Sequence, residues 1–148
     1  MADSSIPDAR ELARDECVAL LRQGGVGRVA VSVAGWYPII RPVNFFFDDP
    51  SQSVVFRSGR GSKLTALLLS EEAAFEIDGL RDDGATAWSV IVTGRAEEVT
   101  DRFEVSRLET AGLAVWAPGE HPFWVRIRAE AVSGVRLRTV PPGSSSSP

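Results

Sequence analysis

The sequence predicts a mainly β fold, in which six or seven antiparallel strands form a closed or partly closed barrel with helices at its periphery. Short apolar stretches with two-residue alternation recur along the chain, and turns rich in Gly, Pro and Asp separate them. The first three of these stretches are joined by short connections, which is typical of an antiparallel meander. Because closing a sheet removes its unpaired edges, this number of strands favours a barrel.

Length and composition indicate one soluble domain. The 148 residues are enough to bury a core, and 44% hydrophobic with 24% charged residues is ordinary for a globular protein. A net charge of −4 argues against a nucleic-acid-binding protein. The lone cysteine, Cys17, is expected to be a small core residue in a reducing cytosol.

We expect a cytoplasmic protein, since no apolar run reaches membrane-spanning length and the first residues lack a signal-peptide pattern. We also expect a single domain over residues 9–140. Residues 1–8 are predicted to be flexible, and the Ser- and Pro-rich residues 141–148 to be disordered.

The first half of the chain predicts one helix and three strands. Apolar residues at helical spacing favour a helix from about Ala9 to Gln23, although a shorter helix could begin near Asp15. The second strand contains Pro38 and Pro42, and it must therefore be bulged or lie at an edge there. The predicted strands are 26–33, 36–47 and 54–56, with a tight turn at Ala34-Gly35.

The second half predicts two helices and three or four strands. A Leu-rich helix is expected to begin near Ser62 and run to Leu69. A second helix is expected to begin at Thr100, as its N-cap, and to run to about Ala111. The predicted strands are 73–77, 88–99, 124–128 and 132–140.

The loop before the Leu-rich helix is cationic. Arg57, Arg60 and Lys63 surround two glycines at the point where the helix begins. Helix starts favour anions because their first N–H groups lack partners and the helix dipole is positive there, so the loop could bind a phosphate. The G-x-x-x-x-G-K-[ST] pattern is absent, and the alternative is a solvated loop in which Ser62 only caps the helix.

Two other places combine polar and apolar groups in an unusual way. Arg41 and Asn44 interrupt a strongly apolar strand, where Asn44 could satisfy a bulge at Pro42 or both could contact a ligand. Trp88 and Ser89 open another strand, where Trp88 could pack in the core or stack on a planar ring. Together with the cationic loop, these features would suit flavin mononucleotide (FMN), which has a phosphate at one end and a flat ring at the other.

Conventional hydrolase and metal sites are not predicted. The single histidine, His121, lies in a Pro-flanked loop, and one histidine cannot form a metal cluster. No G-x-S-x-G pattern surrounds a serine. No side chain is an evident catalytic acid or base, and the catalytic residues are unknown from the sequence.

Six segments occur in a characteristic order and spacing from about Arg14 to Leu137: GVGRVAVSV, RPVNFFFDD, VVFRSGRGSKLTALL, AAFEIDG, WSVIVTGRAEEV and WVRIRAEAVSG. In these segments the chain resembles the pyridoxamine 5′-phosphate oxidase-like, FMN-binding split-barrel family (the flavin/deazaflavin oxidoreductase group), and within it the nitroimidazole-resistance-like branch. The resemblance implies a homodimer of six-stranded split barrels, with the cofactor bound at the subunit interface.

The resemblance also implies a set of cofactor-binding residues. The phosphate would be held by Arg57, Ser62 and Lys63, the ribityl chain and pyrimidine edge by residues 41–44, and the ring by Trp88 and Ser89. The oxidases' S-R-K motif is Gly61-Ser62-Lys63 here, and no aromatic occurs at 132–135, so oxidation of pyridoxamine 5′-phosphate itself is not expected. The full predicted set is Arg41, Pro42, Val43, Asn44, Phe56, Arg57, Ser58, Ser62, Lys63, Trp88 and Ser89.

The expected function is that of an FMN-dependent oxidoreductase acting on a small-molecule acceptor, because in such enzymes the cofactor performs the redox step. One alternative is a reductase on the same fold that uses the deazaflavin cofactor F420, whose longer anionic tail would need more basic surface. Another alternative is a non-catalytic flavin- or haem-binding module.

Overall fold

The computed structural model of the chain describes residues 9–32, 37–59, 72–111 and 123–138. The expected helix over 62–69, the Ala34-Gly35 turn, residues 1–8 and the 141–148 tail lie outside these ranges. The described residues form eight strands and two helices: β1 (Arg10–Glu11), α1 (Arg14–Leu21), β2 (Gly25–Val31), β3 (Ile39–Asp48), β4 (Ser53–Ser58), β5 (Glu72–Leu80), β6 (Thr86–Glu98), α2 (Arg102–Thr110), β7 (Phe123–Arg128) and β8 (Ala131–Arg138).

Six of the strands close into an antiparallel barrel. Neighbouring strands follow the order β6, β5, β2, β3, β4 and β7, and β7 pairs again with β6. The long strand β6 pairs with β8 over residues 86–93 and with β7 over residues 96–98. The sheet therefore divides along β6 into the barrel and an extension made of β8 and β1, which confirms the predicted split barrel.

Gly94 lies where β6 changes from one partner to the other. A Cβ atom at this position would be 1.9 Å from the backbone carbonyl oxygen of Arg128, the last residue of β7. Only glycine lets the two backbones approach this closely. The close contact between β6 and β7 thus depends on the missing side chain.

The interior of the barrel is filled by residues that alternate along the strands. Val29 and Val31 are buried, and Phe45, Phe56 and Phe75 are fully buried. The rings of Phe45 and Phe75 meet edge to face, with centroids 4.7 Å apart. A glycine, Gly27, leaves room for this pair, since a Cβ there would be 2.2 Å from the ring of Phe75.

Helix α1 begins at Arg14, so the longer helix predicted from Ala9 is wrong and the shorter alternative is correct. Residues 10 and 11 pair with β8 as a short strand instead. The Glu16 carboxylate accepts a hydrogen bond of 3.1 Å from the Ala13 N–H, which stabilises the helix start. Cys17 and Leu21 of this helix are completely buried, which confirms Cys17 as a core residue.

The proline in β3 lies where that strand has one neighbour among the described residues. Pro42 is opposite Arg28 of β2, whereas pairing with β4 begins only at Phe45. The missing N–H of Pro42 therefore does not interrupt a ladder on the β4 side. This confirms the edge interpretation of this proline.

Helix α2 is capped by Asp101 and not by Thr100. An Asp101 carboxylate oxygen accepts hydrogen bonds of 3.0 Å from the N–H groups of Phe103 and Glu104. Aspartate and threonine are both good N-caps, so the sequence pattern alone does not separate neighbouring candidates.

Replacing Gly94 by alanine is expected to destabilise the protein by about 1–3 kcal/mol or more, because the new Cβ has to push β6 away from β7. The midpoint of urea unfolding measures this loss. The matched control is Thr93→Ala, which removes an exposed side chain from the adjacent position and should change stability by less than about 0.5 kcal/mol. Equal midpoints for the two variants would contradict this account of the junction.

Candidate functional site

A second apolar cluster lies on the outer face of the barrel, under α2. Val55, Trp124 and Leu108 are buried there, and Phe46 packs against them. The rings of Phe46 and Trp124 meet edge to face with centroids 6.3 Å apart. The cluster holds the indole of Trp124 in one orientation on β7.

Ion pairs fix α2 over this cluster. Arg107 of the helix donates to both carboxylate oxygens of Asp48 at the end of β3, including a bond of 3.1 Å. Arg126 of β7 donates to Glu97 at 2.6 Å and to Glu104 of α2 at 2.8 Å. These contacts connect the helix to β3, β6 and β7, so they support the position of Trp124.

Asp48 is the most deeply buried member of these pairs. Its side chain is 4% exposed. Burial by itself would raise the pKa of Asp48, but the hydrogen bonds from Arg107 and Ser51 outweigh burial and hold the pKa below its usual range. The Asp48 carboxylate is therefore charged in the folded protein near neutral pH.

Arg57 stands at the edge of the outer cluster. It is opposite Trp124 across the β4–β7 ladder, and its guanidinium carbon is 5.0 Å from the centroid of the indole ring. The Nε atom of Arg57 is buried and has no hydrogen-bond partner among the described residues. A buried donor without an acceptor costs free energy, so an acceptor supplied by an anionic ligand would stabilise this arrangement.

Asn44 is the predicted residue that the structure brings close to Arg57. The last pair between β3 and β4 joins Phe45 to Phe56, both of which point into the core. Asn44 and Arg57 occupy the next position on each strand and therefore share the outer face. Asn44 and Arg57 are thus neighbouring positions on the outer face where β3 and β4 separate.

The other predicted residues of β3 and β4 have different environments. Arg41 is exposed and donates a hydrogen bond of 3.0 Å to the Ile40 carbonyl oxygen. Val43 packs against the core and Pro42 is exposed. Phe56 is fully buried and pairs with both β3 and β7, and Ser58 is also buried.

Trp88 and Ser89 point to opposite faces of β6. Trp88 packs against the core with Val90 and Val92, whereas Ser89 lies on the outer face, opposite Asp78 of β5. Ser89 shares this face with Asn44, but three strand spacings, about 14 Å along a flat sheet, separate them. The structure therefore separates the side chain of Trp88 from Asn44 and Arg57 within the chain.

Four residues that the sequence singled out lie outside the described ranges: Arg60, Ser62, Lys63 and His121. Their assignments stay predictions. Trp124, in contrast, was predicted only as a strand residue, and its contact with Arg57 was missed. The alternation around Trp124 predicted its strand, but only the pairing of β4 with β7 brings it to Arg57.

The described residues contain no group of three or more His, Cys, Asp or Glu side chains arranged to hold a metal ion. None of the helices in the described part of the chain has the length and apolar character needed to cross a membrane.

Comparisons with known proteins agree with this architecture. The family model for pyridoxamine 5′-phosphate oxidase matches residues 13–138. Uncharacterized protein Rv0080 of Mycobacterium tuberculosis is 36% identical over 132 residues, which span 86% of this chain and 84% of that protein.

Two solved structures are similar over most of their length. The FAD binding protein from Mycobacterium smegmatis has a TM-score of 0.73 and 30% identity, covering 86% of this chain and 98% of that chain. The conserved protein of unknown function DIP1874 from Corynebacterium diphtheriae has a TM-score of 0.72 and 30% identity, covering 89% and 99%.

Replacing Arg107 by glutamine is expected to destabilise the protein by about 1–3 kcal/mol at pH 7, since it leaves the buried Asp48 carboxylate without its cation. Because the folded pKa of Asp48 is lowered, its ion pair contributes stability above the unfolded pKa of about 4 and loses it as the pH falls further. Urea unfolding of the native protein and of Arg107→Gln should therefore show a difference in the free energy of unfolding that shrinks below about pH 4.

The neighbouring pair of Arg22 and Asp49 provides the matched control. Its side chains are 55% and 51% exposed, so Arg22→Gln should cost less than about 1 kcal/mol. If Arg107→Gln lowered the free energy of unfolding at pH 7 by no more than Arg22→Gln does, the stabilising role of the buried pair would be refuted.

Proposed function

This chain belongs to the pyridoxamine 5′-phosphate oxidase family, and on that premise we propose that it binds FMN and acts as a flavin-dependent oxidoreductase on a small-molecule acceptor. The observation that carries the proposal is Arg57, whose guanidinium lies on Trp124 with a buried Nε that has no partner among the described residues. A phosphate or a ring carbonyl of a flavin supplies the missing acceptor. A hydrogen bond between charged groups contributes about 1.5–3 kcal/mol.

In this proposal, Arg57, Ser62 and Lys63 hold the phosphate. Arg57 is the penultimate residue of β4, its guanidinium lies over Trp124, and the Gly-rich segment that contains Ser62 and Lys63 follows along the chain. Backbone N–H groups of such a segment and two cations suit a dianionic phosphate.

The outer face of the barrel supplies the proposed ring side of the site. Asn44 offers both a donor and an acceptor, as the polar edge of a flavin requires, and Ser89 offers a hydroxyl on the same face. Val26 is opposite Asn44 and is exposed, so it adds apolar surface between them. Residues 41–44 would contact the ribityl chain and the pyrimidine edge.

The bound flavin would supply the redox chemistry by accepting and donating electrons. The chain's own residues would then hold the phosphate, orient the ring edge and restrict access of water. FMN and FAD share the flavin and its first phosphate, and the M. smegmatis relative is described as FAD binding, so the nucleotide released on denaturation distinguishes them. F420 or haem in its place would support the alternative functions.

We also propose a homodimer that uses the outer face of β3, β2, β5 and β6. Ile40, Ile91 and Val26 are exposed apolar residues on this face, and Ile40 is 61% exposed. Large exposed apolar surfaces on soluble proteins mark interaction sites. Arg28 pairs there with Glu76 and Asp78, at 2.6 and 3.1 Å, and a face that carries both charges can be complementary to itself across a two-fold axis.

The double variant Arg57→Ala/Lys63→Ala is expected to bind FMN at least tenfold more weakly than the native protein, since each lost charged hydrogen bond contributes about 1.5–3 kcal/mol. Fluorescence titration of the apoprotein with FMN measures the affinity, and circular dichroism checks the fold. The matched control is Arg102→Ala, an exposed arginine of α2 that should leave affinity unchanged. Native affinity in the double variant would remove the proposed phosphate site.

Replacing Ile40 by glutamate is expected to convert the dimer to monomer and to weaken FMN binding, because a charge would have to be buried at the interface. Sedimentation velocity gives the oligomeric state. Phe103→Glu changes an even more exposed apolar residue on α2 and serves as the control, which should remain dimeric. A dimer that tolerates Ile40→Glu must use another surface.

A further inference from the structure

A separate cavity of about 270 Å³ lies between α1 and the extension of the sheet formed by β8 and β1. Trp88 of β6 and the apolar residues Leu12 and Leu20 line it, together with Arg81 and Arg136. We propose that this cavity binds a small aromatic carboxylate, with the ring on Trp88 and the carboxylate on the arginines. The proposal does not depend on flavin binding, since Trp88 and the outer-face residues Asn44 and Arg57 are on opposite faces of the sheet.

Trp88 forms a fixed, flat surface in this cavity. It is opposite Gly79 of β5, and a Cβ atom at Gly79 would be 2.8 Å from the indole ring. The indole therefore lies over a strand position that has no side chain. Trp88 itself is half-buried. A planar ring that enters the cavity can stack on the indole or meet its edge.

The arginines beside Trp88 follow from strand register. Arg10 of β1 is opposite Arg136 of β8, and Arg136 is opposite Trp88 of β6, so the three side chains lie in one row on the same face. Like charges on facing positions destabilise a sheet. Glu16 of α1 relieves part of this repulsion, because it accepts two hydrogen bonds from Arg10, at 3.0 and 3.2 Å.

Two guanidinium groups remain available to a ligand. Neither Arg136 nor Arg81 makes a salt bridge within the described ranges of the chain. Asp83 lies nearby in the open groove that continues from the cavity, but its carboxylate accepts hydrogen bonds from the Ala85 and Thr86 N–H groups and from the Thr86 hydroxyl, at 2.8–2.9 Å. Arg10, Arg81 and Arg136 line the cavity together with one acidic side chain, Glu16, so the cavity lining has a surplus of positive charge.

Size and chemistry together identify the class of ligand. Ligand pockets usually have volumes of about 300–1,000 Å³, so a cavity of about 270 Å³ suits a molecule with one ring. Leu12 and Leu20 favour an apolar body, and Trp88 favours a planar one. Guanidinium groups bind carboxylates through paired, charge-assisted hydrogen bonds. A benzoate-like anion uses all three features.

Benzoate is the probe for the test, and the indole N–H signal of Trp88 in the ¹H–¹⁵N NMR spectrum of the full chain is the readout. Trp88→Phe assigns the signal by its loss. We expect benzoate to shift this signal saturably, and neutral benzamide to bind at least about tenfold more weakly, because it cannot form the charged contacts. No saturable shift with benzoate would overturn the proposal.

The variants Arg136→Gln and Arg81→Gln test the role of charge, and each should weaken benzoate binding at least about fivefold. Arg102→Gln removes an arginine outside the cavity and should bind benzoate as the native chain does. The NMR spectrum itself shows whether each variant is folded. Equal affinity in all three variants would overturn the proposal.

Titration with FMN in the same experiment separates this site from the flavin site. We expect FMN and benzoate to bind together without competition. Competition between FMN and benzoate at the Trp88 signal would show that the cavity belongs to the flavin site, and the proposal of a separate site would fail. If the chain binds benzoate but does not bind FMN, the proposed function is refuted and this inference stands.

Discussion

The close approach of β6 and β7 at Gly94 is the constraint on which the rest of the structure depends. It lets one strand pair with β8 over its first part and with β7 over its last part. Closing the barrel in this way brings β7 to β4, and Trp124 thereby comes to lie beneath Arg57. Leaving β8 outside the barrel creates the surface that α1 covers. Both candidate sites therefore result from one change of strand partner.

Alternation along the strands then assigns polar groups to two separate faces. Asn44, Arg57 and Ser89 lie on the outer face, beside an exposed apolar surface, whereas Trp88 turns inward to the α1 side. Strand geometry makes this separation unavoidable, because consecutive residues of a strand point in opposite directions. The proposed flavin site and the proposed carboxylate site therefore lie on opposite faces of the sheet.

Two neighbouring ion pairs, one with Arg107 of α2 and one with Arg22 at the end of α1, differ in importance according to their burial. Asp48 and Asp49 are adjacent and each pairs with an arginine, yet Asp48 is almost fully buried and Asp49 is half exposed. Water competes with the exposed pair, and the buried carboxylate has only its protein partners. The contacts of Asp48, Glu97 and Glu104 therefore secure α2 over Trp124, which in turn orients the guanidinium of Arg57.

The sequence by itself determined the features that depend on neighbouring residues. Alternation predicted the strands, turn residues separated them, Pro42 predicted a bulge or an edge, and ordered motifs identified the family. The longer helix from Ala9 was wrong and the N-cap of α2 at Asp101 was missed, because several adjacent residues can cap a helix. Only the tertiary structure decided which strands are neighbours and that Trp124 packs against Arg57. It also decided what lies on the two faces of β6 to which Trp88 and Ser89 point. Register and barrel closure arise from contacts between distant parts of the chain, and local periodicity does not encode them.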